Sequence, residues 1–140
     1  MILPITLTTA GAAALVNIWL AVRIGRVRRA AKVSVGDGGH DLLLRRMRAQ
    51  ANFTEYAPFV LILIALIELA RGSLTWLWLV SLVFLLARVA HGFGMDGGKF
   101  AKLRMVGIVA TLLILLGLAA YAIAIPYFSP ALKVDGLQIA

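Results

Sequence analysis

The chain has 140 residues, 62% of them hydrophobic, a mean hydropathy of +0.97 and no cysteine. So much apolar surface excludes an ordinary soluble domain of this size, and the missing thiol excludes disulfides, thiolate metal sites and a cysteine nucleophile supplied by the protein. The net charge of +8 is clustered, and on a membrane protein topology and anionic lipid account for it without nucleic acid.

Four apolar runs stand out, Leu3 to Val22, Phe53 to Ala70, Leu74 to Ala90 and Val106 to Ile125. Each approaches the roughly 20 residues that a helix needs to cross a bilayer. The expected fold class is an all-α membrane protein, a four-transmembrane-helix bundle in one domain over residues 1–140. Its helices are expected at about 3–25, 41–70, 74–92 and 102–126.

The first helix opens after Pro4. No basic residue precedes Arg23, so the charged start of a signal peptide is missing and the run reads as a retained helix. Trp19 suits the inner interface. Val33 to His40 is a Gly-rich turn, and Asp41 is expected to cap the second helix. Pro58 lies inside that helix and can kink it. Arg71-Gly72-Ser73 forms a tight outer turn, and Trp76 and Trp78 begin the third helix as an aromatic belt. That helix ends with Arg88 and His91, before a Gly-rich turn from Gly92 to Gly98. The fourth helix starts near Lys102 or Arg104 and ends at Pro126, with Tyr121, Tyr127 and Phe128 near the outer surface.

The first connection holds Arg23, Arg26, Arg28, Arg29, Lys32, Arg45, Arg46 and Arg48. The second holds only Arg71, the third Arg88, Lys99, Lys102 and Arg104, and the tail Lys133. Excess positive charge marks cytoplasmic loops, so the first and third connections face the cytoplasm and both termini the other side.

The segment RRMRAQANFTEYAP, Arg45 to Pro58, is the most informative. Arg45, Arg48, Asn52 and Glu55 lie +3, +4 and +3 apart, which lines them along one helix face. From Arg48 to Glu55 the backbone advances roughly 10 Å. Such groups at the mouth of a membrane helix are costly unless partnered. Helix three adds Arg88, His91 and Met95, helix four adds Arg104, Gly107 and Thr111, and the end of helix one adds Arg26. If these stripes meet, they form a basic pocket with one acid. Guanidinium groups would take carboxylates, Asn52 offers a donor and an acceptor, and Glu55 would take an ammonium. Plainer roles compete at each position. Arg48 and Arg104 can anchor helices at the interface, and Glu55 can pair with a neighbouring arginine. His91 can simply bond at a helix end, and Gly107 can serve close packing. With two histidines and no cysteine no metal site is expected. Gly92 to Gly97 fits GxGxxG, but a membrane helix precedes it, where a dinucleotide site needs a strand.

Arg48-Ala49-Gln50-Ala51-Asn52-Phe53-Thr54-Glu55-Tyr56-Ala57-Pro58 resembles the RAHxNxxExxP signature of the MAPEG family, the membrane-associated proteins in eicosanoid and glutathione metabolism. Arg88-Val89-Ala90-His91-Gly92 is similar to the family's motif at the end of helix three, and Arg104, Gly107 and Thr111 to the bacterial form of helix four. The resemblance spans about residues 5–125. It implies a homotrimer in the bacterial inner membrane, with glutathione as co-substrate bound between subunits near the cytoplasmic face. By motif position Arg48, Asn52 and Glu55 would hold the tripeptide, Arg26 would reach it from helix one and His91 would line the site. Arg104 would be catalytic, stabilising the thiolate for attack on a lipophilic electrophile or a peroxide. Gln50 replaces a common histidine, and Met95 stands where several eukaryotic members carry tyrosine, which removes a hydroxyl from the mechanism. The competing readings are a non-catalytic ligand-binding or structural protein of this fold and a small proton-coupled exporter. The exporter needs an acid at the bilayer middle, whereas Glu55 and Glu68 lie towards opposite ends of helix two.

Overall fold

The computed structural model describes residues 2–128; the tail after Phe128, with Lys133, lies outside the described residues. Helix α1 spans Pro4–Ala31, α2 Asp41–Arg71, α3 Thr75–Gly94 and α4 Ala101–Phe128, with a 3-10 turn at Gly98–Phe100 before α4. All four helices are long and apolar enough to cross a membrane, and the protein is an integral membrane protein.

The helices form a four-cornered bundle. The most extensive contacts join α3 to α4 and α1 to α2, while α1 with α3 and α2 with α4 close the square. Helices α2 and α3 also touch across one diagonal, leaving α1 and α4 at opposite corners. Ala49, Phe53, Ala57, Val60, Ile64 and Ile67 recur at +4, +4, +3, +4 and +3 along α2 and build one wall of the core. Ile5, Ala13 and Leu20 from α1, Leu77 and Phe84 from α3 and Leu118 from α4 fill it. Helix α4 buries only Gly107, Thr111 and Leu118, as expected of a helix that is apolar all round and meets lipid.

The observed boundaries differ from expectation at three places. Helix α1 continues to Ala31 rather than stopping near residue 25. Ile24 and Val27 extend its apolar face and pack on Leu43 at the start of α2, and arginine is itself a good helix former. Lys32 ends the helix in the left-handed conformation (φ 55), and the Val33 N–H closes on the Arg28 carbonyl at 3.0 Å. Asp41 is the first residue of α2 rather than its cap; the cap position is His40, without a side-chain bond. Asp41 instead pairs with Arg45 one turn on, at 2.8 Å. Both Pro58 and Pro126 lie inside helices, and α4 runs on past Pro126 to Phe128.

Two polar clasps join the helices. At the end away from the basic connections the buried Glu68 carboxylate accepts the Ile5 N–H at 3.0 Å, the Thr6 N–H at 2.8 Å and the Thr6 and Ser73 hydroxyls at 2.8 Å each. At the basic end Asp96 accepts the guanidinium fork of Arg46, Nε at 3.0 Å and Nη2 at 3.1 Å, and pairs with Arg23. Arg23 also donates to the Gly92 carbonyl at 2.9 Å and lies 4.6 Å from the centre of the Trp19 ring. The clasp thus ties α1 and α2 to the end of α3.

Candidate functional site

The basic end of α3 approaches α4 too closely for side chains on either glycine. A Cβ on Gly107 would stand 2.7 Å from the His91 Cβ, and one on Gly94 would collide with the Arg104 backbone. Gly107 is therefore a close-packing position, and its absence of side chain brings α3 and α4 together at the level of His91 and Arg104.

Arg88 occupies the centre of this region. It projects from α3 into the bundle and is 1% exposed. Its Nη2 donates to Asn52 Oδ1 on α2 at 2.6 Å, and its Nη1 to Thr111 Oγ1 on α4 at 3.1 Å. The same Nη2 lies 3.4 Å from Nδ1 of His91, one turn further along α3. The Thr111 hydroxyl donates to the Gly107 carbonyl at 2.8 Å. Among the described residues no carboxylate pairs with Arg88. A guanidinium this deeply buried with neutral partners is costly, and such intramembrane charges mark functional positions.

The structure therefore brings two of the six residues expected to bind or react, Asn52 and His91, into one network through Arg88, which the sequence places in the helix-three stripe without a role in holding the ligand. Arg104 lies within electrostatic reach of His91. Arg48 and Glu55 flank Asn52 one turn away on either side, and both are exposed. Arg26 is exposed on α1 and is not joined to the network. Among the described residues none of Arg26, Arg48, Glu55 and Arg104 has a side-chain hydrogen bond or an ion pair. Glu55 thus lacks the neighbouring-arginine partner that was one alternative for it. The acid that pairs with arginines of other helices is Asp96, inside the GxGxxG-like turn. Gln50 donates to Asn17 Oδ1 at 3.1 Å across the α1–α2 contact. No cluster of metal-ligating side chains occurs among the described residues.

What this arrangement can do follows from its charges. A buried cation, an amide and an imidazole stand beside a rim with two further guanidinium groups, Arg48 and Arg104, and one carboxylate. Such a surface suits a ligand carrying several carboxylates or carbonyls and one ammonium.

Residues 6–124 match the profile of the MAPEG family. The chain is also 32% identical over 87 residues to the inner membrane protein YecN of Escherichia coli strain K12. The same match is found with its counterpart in the O6:H1 strain CFT073. The aligned segment is 61% of this chain and 65% of those proteins, just under two thirds of their length.

Proposed function

From this chain's membership of the MAPEG family, we propose that it binds glutathione and transfers it to hydrophobic electrophiles, or uses it to reduce peroxides. The single observation that carries this reading is the pair Arg48 and Glu55. They are opposite charges on one membrane helix, both without a side-chain partner among the described residues, with Asn52 between them. Charges placed so in a membrane protein call for a ligand or a second subunit. A tripeptide with two carboxylates and one ammonium answers both, with Arg48 taking a carboxylate and Glu55 the ammonium.

In this reading the protein is a homotrimer in the bacterial inner membrane, with both termini outside the cytoplasm. Arg26 then reaches the tripeptide bound on a neighbouring subunit. Arg104 stands beside the sulfur. A nearby cation lowers a thiol's pKa and raises its thiolate fraction. The thiolate lone pair forms a carbon–sulfur bond with the electrophile while the leaving group departs with its electron pair. With a peroxide it attacks one oxygen, the O–O bond breaks and the other oxygen leaves as alkoxide and takes a proton to give the alcohol; a second glutathione then attacks the resulting sulfenic acid, forming the disulfide and releasing water. Glu68 is fully engaged by four donors at the outer end, which supports an enzyme over a proton-coupled exporter.

The test is the ultraviolet difference spectrum of detergent-purified protein on adding glutathione. Thiolate absorbance at neutral pH is expected, and it is expected to vanish in Arg104→Ala. Calorimetric binding without thiolate would move the protein to a non-catalytic binding role. Arg104→Ala is further expected to lower turnover of a chloroarene more than glutathione affinity; equal losses would make Arg104 a binding residue. Arg48→Ala is expected to weaken glutathione binding by about 1.5–3 kcal/mol, the scale of a lost charge-assisted hydrogen bond. Unchanged affinity by calorimetry would return Arg48 to an anchoring role.

A further inference from the structure

Asn52 and His91 can each offer a donor or an acceptor, whereas arginine carries donors only. That asymmetry decides how both side chains are turned. Arg88 Nη2 meets Asn52 Oδ1 at 2.6 Å, so the Asn52 carbonyl is taken and its NH2 group faces away from Arg88. The same guanidinium nitrogen lies 3.4 Å from His91 Nδ1. A proton on Nδ1 would set donor against donor, so Nδ1 keeps its lone pair and the imidazole proton sits on Nε2. Thr111 fits the same pattern. Its proton goes to the Gly107 carbonyl at 2.8 Å, and its lone pair faces Arg88 Nη1 at 3.1 Å.

We infer that Arg88 fixes the hydrogen-bond polarity of this site: Asn52 and His91 face the ligand as donors only, and the ligand atoms against them are acceptors, carboxylate or amide carbonyl oxygens. Arg88 is thus a positioning residue. It joins acceptors from α2, α3 and α4 at once, which the planar guanidinium fork can do and a lysine ammonium on a flexible stem does poorly. Its burial and its lack of a carboxylate partner leave a net positive charge behind the two donors. That charge favours an electron-rich group in front of them. Assigning the acceptor to glutathione rests on the function proposed above; the orientation of Asn52 and His91 does not.

The first arm of the test needs no ligand. The chain has two histidines, His40 and His91, so nitrogen-15 histidine labelling of His40→Gln protein in micelles reports His91 alone. The expected spectrum at neutral pH has a protonated Nε2 and a bare Nδ1; the opposite tautomer overturns the inference. In Arg88→Gln, whose amide can donate or accept, a mixture of tautomers is expected. An unchanged Nε2–H tautomer there would remove Arg88 from the role. The second arm is Asn52→Asp, which keeps an acceptor for Arg88 and deletes the outward donor. Its thermal midpoint is expected to equal or exceed that of the parent protein, while glutathione affinity falls roughly 10- to 100-fold. Retained affinity would overturn the donor assignment, since a merely structural Asn52 tolerates this change. If the parent protein binds no glutathione, the proposed ligand fails, and the His91 tautomer alone decides the polarity.

Discussion

Asp96→Ala is expected to destabilise the bundle by about 3–5 kcal/mol, the scale of breaking a buried ion pair from one side. Asp96 is the shared carboxylate of Arg23 and Arg46. Arg23 is the more vulnerable partner, since its side chain is 8% exposed against 19% for Arg46. Without Asp96, Arg23 retains the Gly92 carbonyl and the faces of Trp19 and Phe93, which solvate a cation without neutralising it. Arg46 has more access to water and suffers less. The measurement is thermal unfolding in detergent, with Arg46→Ala as the comparison. Asp96→Ala is expected to lower the midpoint by clearly more than Arg46→Ala. Equal losses would mean that the carboxylate acts mainly through Arg46 and that Arg23 is adequately held by the rings. The clasp lies in the segment that leads from α3 towards Arg104, so the same variant is expected to loosen the rim of the proposed site.

How far the sequence discloses this molecule depends on the range of the interaction. The four spans are legible because each is a continuous apolar run, and a bilayer leaves the backbone no alternative to helix there. The end of α1 is not, because four basic residues between Arg23 and Ala31 resemble a loop in composition. What keeps it helical is Ile24 and Val27 meeting Leu43, a contact made only once α2 has folded back. Asn52 and His91 could be nominated from their +3 and +4 neighbours on their own helices. Arg88 is legible as the polar residue one turn before His91, but its part as their common partner is not, since it meets Asn52 36 residues away. The roles of Arg26, Arg48, Glu55 and Arg104 rest on the motif and remain proposals, as their side chains find no partner among the described residues. Asp96 and Glu68 were passed over for opposite reasons. Asp96 sits among glycines that suggest a mere turn. Glu68 sits in an apolar run, where an acid suggests transport, and only the position of the start of α1 reveals its role.

Glu68→Ala is accordingly expected to cost about 2–4 kcal/mol, combining a lost helix cap with stranded donors. Helix α1 starts with Pro4, and its own cap position, Leu3, supplies no side-chain acceptor. The first free N–H groups of α1 are instead received by a carboxylate 63 and 62 residues away, at Ile5 and Thr6. A negative charge at a helix N-terminus is favourable in itself, and here it also joins α1 to α2 and to Ser73 in the turn between α2 and α3. Glu68→Gln separates the two contributions. It preserves one acceptor oxygen and the shape of the side chain but removes the charge, so its loss of thermal stability is expected to be smaller than that of Glu68→Ala. The exporter reading makes the contrary demand: neutralising a transport acid abolishes proton-driven efflux while leaving the fold intact. A Glu68→Gln protein as stable as the parent would therefore weaken the clasp assignment and reopen a transport role for this acid. A measurable drop in midpoint, with glutathione binding at the far end of the bundle preserved, would establish Glu68 as the fastening of the start of α1.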